Sequence, residues 1–149
     1  MRYRFDAAIE DLYSPDPAKH VEAASDLQEL ASTVLDSAEP LYELEDLDDD
    51  SLGFVGDAAV WLAVLASSGL LPHAVAHDVP RSNALLQAAA DAQHTAAHLA
   101  LAYRYETGFG LQQSCDLAYV HLKVRMHLGL VYPCINNLRI QQPEPASSS

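Results

Sequence analysis

Histidines, a cysteine and a run of aspartates are the residues whose type and spacing could do chemistry in this chain. His94 and His98 lie four apart, which on a helix sets both imidazoles on one face, as for a metal ion; His73 and His77 repeat that spacing between Pro72 and Pro80. A zinc site needs three or four ligands. The residues between His94 and His98 are Thr95, Ala96 and Ala97, so the Glu of a metalloprotease helix is missing. Cys115 with His121 or His127 has the composition of a nucleophile and base. On one straight helix, however, His121 is turned about 600° from Cys115 and His127 lies about 18 Å along the axis. Asp46, Asp48 and Asp50 start a calcium-loop spacing, but Ser51 takes the place of the required Gly and Asp57 that of the final Glu. Gly108 and Gly110 are a lone Gly-x-Gly after a helix, where they serve a turn and not a phosphate. These patterns predict no cofactor, no metal site and no enzyme.

The elements that would carry these residues are helical. The apolar half of the 149 residues is dominated by Ala and Leu, strong helix formers. Residues 1–15 read as a flexible N-terminus. Ser14-Pro15-Asp16-Pro17 starts a helix, and Val21, Ala24, Leu27, Leu30, Ala31, Val34 and Leu35 recur at spacings of three and four over 16–38. An acidic linker is expected over 39–55. Four helices follow, over about 56–68, 81–92, 94–107 and 114–128, with an unpacked tail over 129–149.

The four later helices read as two similar hairpins within 56–128. A shift of 39 lays Ala58 on Ala97, Leu62 on Leu101, Ala63 on Ala102 and Gly69 on Gly108; a shift of 34 lays Ala84 on Ala118 and Leu86 on Val120. The five-residue difference is expected between Pro72 and Pro80. Small residues let paired helices approach, and Gly after the first helix supplies a left-handed turn. One hairpin cannot bury its apolar faces alone, so neighbours must stack. The expected fold is all-α: a short α-solenoid of helix-turn-helix repeats, with an extra N-terminal helix and a disordered C-terminal tail.

The second hairpin, AAHLALAYRYETGFGLQQSCDLAYVH over 96–121, resembles a Sel-like repeat, a relative of the tetratricopeptide repeat. Ala97, Leu101, Tyr103, Gly108, Gly110 and Ala118 fit the family pattern, and Ala102 replaces its usual Gly. Leu122 and Arg125 depart from it. Tyr103-Arg104-Tyr105, Gly108-Phe109-Gly110 and Gln113-Ser114-Cys115 are most similar to luminal adaptors of Hrd-type ubiquitin ligases. The resemblance implies a non-catalytic scaffold in endoplasmic-reticulum-associated degradation, with ligase components or misfolded clients as partners and the endoplasmic reticulum as location. Such adaptors are longer, so the chain reads as a divergent or truncated relative.

Tyr103, Arg104, Tyr105 and Phe109 are the candidate protein-binding residues. Tyr103 and Tyr105 point about 200° apart on a helix, so at most one of them faces a groove. Arg104 is expected to pair with Asp116 or Glu106, or to touch a partner. Charge narrows the partner class. Residues 1–50 hold 15 of the 21 acids and three of the eight bases, and no basic stripe for nucleic acid or anionic membrane is seen. Residues 58–71 are too short to span a bilayer, and no signal peptide is read at the N-terminus. Two cysteines, Cys115 and Cys134, are no disulfide framework and leave the redox state open. Two readings of other classes stand beside the scaffold: a metal-binding or catalytic helical domain using His73, His77, His94 and His98, and a fragment of a longer repeat protein.

Overall fold

The computed structural model describes residues 2–36 and 49–123. They form α1 (Arg2–Leu12), α2 (Pro17–Asp36), α3 (Asp49–Ser68), α4 (Val79–Asp91), α5 (Thr95–Thr107) and α6 (Cys115–Lys123), with no strand among the described residues. The fold is all-α. Each helix packs mainly on its successor, and secondary contacts join α1 to α3, α2 to α4 and α3 to α5.

Two expectations about the first part of the chain are corrected. Residues 1–15 were expected to be flexible, yet 2–12 form α1 and bury Phe5 and Ala8. Phe5 lies 5.7 Å from the Phe54 ring of α3. Arg4 adds a polar tie, donating to Glu29 at 2.7 and 3.1 Å and to Asp26 at 2.8 Å on α2. These acids hold the Arg4 guanidinium above its ordinary value, and Arg4 in turn holds the Glu29 carboxyl below its own. The second correction concerns the linker 39–55. Residues 49–55 are the opening turns of α3, with Val55 fully buried. Gly53 and Gly56 hide this in the sequence because glycine is a poor helix former; tertiary burial overrides propensity here. Residues 37–48 and the expected tail 129–149 lie outside the described residues.

Capping sets the remaining boundaries. Asp16 Oδ1 accepts from the Ala18 N–H at 2.9 Å, with Pro17 in the first turn of α2. Asp78 does the same for Arg81 at 2.9 Å at the start of α4. The buried stripe of α2 is Ala23, Ala24, Leu27, Leu30 and Ala31, whereas Val21 is exposed. The α3 helix is buried over most of its circumference, because α2 and α4 flank it.

The two hairpins α3–α4 and α5–α6 share local geometry in detail. Ala58, Ala63, Ala97 and Ala102 are fully buried, and Leu62 and Leu101 nearly so. Gly69 and Gly108 both turn left-handed, at φ 64° and 74°. Each donates its N–H back to the carbonyl four residues earlier, Leu65 at 3.2 Å and Arg104 at 2.8 Å. The second helices, however, register differently from expectation. A shift of 34 pairs buried Ala118 with exposed Ala84, and Leu86, 1% exposed, with Val120, 54% exposed. Ala84 therefore has no place among the buried repeat positions. A shift of 36 resolves this. It sets the cap Asp78 on Ser114, buried Ser82 on Ala118 and buried Leu86 on Leu122. Ser114 Oγ accepts from the Leu117 N–H at 3.3 Å, as Asp78 accepts from Arg81. The backbone agrees: Asp78 N–H reaches Ala66 O at 2.9 Å, and Ser114 N–H reaches Tyr105 O at 2.8 Å. The turns thus differ by three residues and not five.

Candidate functional site

The hairpin α5–α6 carries the expected binding residues, and its geometry divides them. Tyr103 and Phe109 are exposed. Tyr105 faces inward, partly buried against the core, with its ring stacked 5.6 Å from that of His121 at an interplanar angle of 11°. This is the opposed orientation that a two-residue step on a helix imposes.

Arg104 is not a surface residue. It is 6% exposed and reaches neither Asp116 nor Glu106; its guanidinium donates to Asn83 Oδ1 and, at 2.8 Å, to Ser82 Oγ, both on α4. Ser82 Oγ donates onward to the Ala63 carbonyl of α3 at 2.6 Å, and Asn83 Nδ2 donates to the Gly110 carbonyl at 2.8 Å. One buried polar network thus joins α3, α4, α5 and the α5–α6 turn. Burial pushes the Arg104 pKa down, and no carboxylate lies within ion-pair distance of it among the described residues. The Phe109 ring, centred 5.5 Å from the guanidinium carbon, supplies a π face instead. A methyl group on Gly110 would overlap Val79, so the turn must approach α4 with bare backbone. At the position equivalent to Arg104, the preceding hairpin carries buried Leu65.

The repeat register exposes residues that sequence reading missed. Tyr103 falls on Val64 and Phe109 on Leu70, and all four are exposed. With the corrected shift of 36, exposed Leu117 falls on exposed Arg81, and exposed Val120 on exposed Ala84. At each of these four positions the second hairpin carries the larger or more apolar side chain. The signal was present in the shift of 39 for Val64 and Leu70. For α6 it was hidden by the wrong register.

The histidines separate. His94 and His98 occupy neighbouring turns but take different partners: His94 Nε2 lies 2.9 Å from Asp57 Oδ1 on α3, and His98 Nδ1 lies 3.0 Å from His121 Nδ1 on α6. The His94 ring also fills the space over Gly56, where a methyl group would overlap it. Its Nδ1 is buried without a hydrogen-bond partner among the described residues. His77 reaches the Ser67 carbonyl at 3.2 Å, and His73 meets His20 at 3.0 Å. His20 Nε2 lies 2.6 Å from the Ser14 carbonyl, so that nitrogen holds the proton and His20 Nδ1 accepts from His73. No three histidines, cysteines or acids converge as metal ligands among the described residues. Cys115 is disulfide-bonded, which removes it as a thiol nucleophile.

A separate cavity of about 500 Å³ opens between α2, α3 and the α3–α4 turn. Val21, Leu62, Val75, Gln28 and Arg81 are among the residues that line it. Arg81 donates to Gln28 there at 3.1 Å. Of the expected site residues it touches Leu62 alone. No helix among the described residues is long and apolar enough to cross a membrane.

No family model, curated protein or solved structure matches the chain.

Proposed function

We propose that the chain is a non-catalytic protein-binding module, a short α-solenoid of Sel-like hairpins that docks partners on α5–α6. The observation that carries this reading is the set of four equivalent exposed positions, at each of which the second hairpin presents the larger or more apolar group: Tyr103, Phe109, Leu117 and Val120. Exposed aromatic groups on a rigid helical frame are what protein interfaces use as anchors. The network around Arg104 supports the same reading, since it fixes the turn that displays Phe109.

The endoplasmic-reticulum assignment and the link to ubiquitin-dependent degradation rest on the resemblance of the second hairpin to luminal adaptors. A disulfide at Cys115 fits such an oxidising compartment. Ligase components or misfolded clients are then the partners.

Affinity capture with the purified chain, from microsomal and cytosolic lysates in parallel, tests the reading. The pair Tyr103→Ser and Phe109→Ser should lose the partners held by the unmodified chain while keeping its circular dichroism. Partners retained equally by both forms would remove this surface from the account. Metal stoichiometry of the pure protein tests the rival reading, which the divergent histidine partners do not favour.

A further inference from the structure

We propose that His20 and His73 form a two-histidine site for a divalent transition metal ion, copper(II) before others, that clips α2 to the α3–α4 turn. The site is separate from the α5–α6 surface and independent of the docking function.

The fold builds this pair from segments far apart in the chain. His73 stands four residues before His77, yet His77 reaches the Ser67 carbonyl and His73 meets His20, 53 residues away on α2. His20 Nδ1 and His73 Nε2 lie 3.0 Å apart, and the ring centroids 5.2 Å apart. His73 is exposed and His20 half-buried. At a surface, a hydrogen bond between two imidazoles replaces bonds to water and contributes little net. The same placement serves a metal ion better, since the ion takes a lone pair from each ring.

Three features suit the pair to that task. The first is orientation. The Ser14 carbonyl accepts from His20 Nε2–H at 2.6 Å, which fixes the tautomer and leaves the Nδ1 lone pair toward His73. Histidine ligands are held in this way, through a carbonyl or carboxylate on the second ring nitrogen. The second feature is spacing. Metal–nitrogen bonds of about 2.0–2.1 Å set two nitrogens about 2.9 Å apart at a right angle and about 3.3 Å apart at a tetrahedral one. The observed 3.0 Å is nearer the right angle. That is the tetragonal preference of copper(II) and nickel(II), and copper(II) stands highest in the affinity order of the divalent ions. The third feature is charge: residues 2–36 carry eight acids against three bases, a field that favours a cation.

Binding needs one change of tautomer. Without the ion, His73 Nε2–H donates to His20 Nδ1. Coordination uses the lone pair of each of these nitrogens, so the His73 proton passes through solvent from Nε2 to Nδ1. Both rings stay neutral, and no net proton is released. The exposed His73 ring turns so that the two lone pairs meet at one point. No third histidine, cysteine or acid joins the pair among the described residues, so the other positions around the ion fall to water. Calcium and magnesium, which take oxygen ligands, are not served by such a pair.

The experiment is a copper(II) titration of the full chain at about pH 7.5, where an ordinary imidazole is neutral. The ion is added, because a site with two protein ligands exchanges it readily. Pulsed electron paramagnetic resonance counts the imidazoles on the bound copper, and proton NMR shows which histidine rings it broadens. The unmodified chain should hold one copper with two imidazoles, and the rings of His20 and His73 should broaden first. His20→Gln and His73→Gln should each weaken binding at least about tenfold and leave at most one imidazole on the ion. His77→Gln should keep both. Because His73 is exposed, His73→Gln decides the matter even where His20→Gln impairs folding. Equal affinity in His73→Gln and the unmodified chain, or a single imidazole on the copper of the unmodified chain, would overturn the site. So would a site lost in His77→Gln, which would assign the copper to the two histidines four residues apart.

Discussion

Several single residues here are fixed by what surrounds them more than by their own preferences. Gly56 sits inside α3, where replacement by Ala ordinarily gains about 1 kcal/mol of helix propensity. The His94 ring occupies the space a methyl group would need, and Asp57 holds that ring in place. Gly56→Ala should therefore destabilise, by about 1–3 kcal/mol; a urea midpoint at or above that of the unmodified chain would contradict this. Arg104 is a similar case. Its removal leaves the acceptors of Asn83 and Ser82 unpaired in the core, so Arg104→Ala should cost about 2–4 kcal/mol. Equilibrium urea unfolding measures it, and a cost under about 0.5 kcal/mol, the scatter expected of surface changes, would show the network to be slack. Sequence spacing placed Tyr103 and Tyr105 on opposite sides of their helix, and they are so placed. It gave no sign that Arg104 lies inside, because its partners Ser82 and Asn83 stand more than 20 residues away on α4. Cysteine chemistry was equally silent: two cysteines in the sequence leave the redox state open. The structure predicts that Cys115 resists alkylation until a reductant is added, which peptide mass mapping reads directly.

At the scale of elements, the caps decide where helices begin and end, and they were the most legible feature. Ser14-Pro15-Asp16-Pro17 announced one start, and Gly69 and Gly108 announced two stops; the cap at Asp78 emerged only from the structure. Asp78→Ala should cost about 1 kcal/mol through the lost bond to the Arg81 N–H. Gly69→Ala and Gly108→Ala should cost similar amounts, because both positions hold the same left-handed backbone. Two near-equal shifts in urea midpoint would agree with one repeated turn; a neutral effect at either site would not. The elements that escaped sequence reading did so for stated reasons. The α1 helix has only Phe5 and Ala8 buried and is held further by the Arg4 ion pairs with α2, whose partners lie more than 20 residues away. The first turns of α3 carry two glycines. The α4–α6 register slipped by two because Ala and Leu recur so often that a wrong alignment still pairs like with like. The cap residues Asp78 and Ser114, aligned on each other, give the right one.

Over the whole molecule, consecutive packing of six helices explains why an Ala-rich chain with few large side chains can still close a core. Small residues at Ala58, Ala63, Ala97 and Ala102 bring backbones near, and Leu62 and Leu101 fill the space between. The all-helical class was legible from composition. The distribution of exposed apolar groups was not, because it depends on the register between hairpins. That distribution carries the functional proposal. Site-specific photo-crosslinking tests it most directly, with a reactive side chain placed in turn at 103, 109, 117 and 120, and at the equivalent positions 64, 70, 81 and 84. The account predicts a shared set of crosslinked protein partners from the first four positions and none from the second four. Equal crosslinking from both hairpins, or from neither, would contradict it.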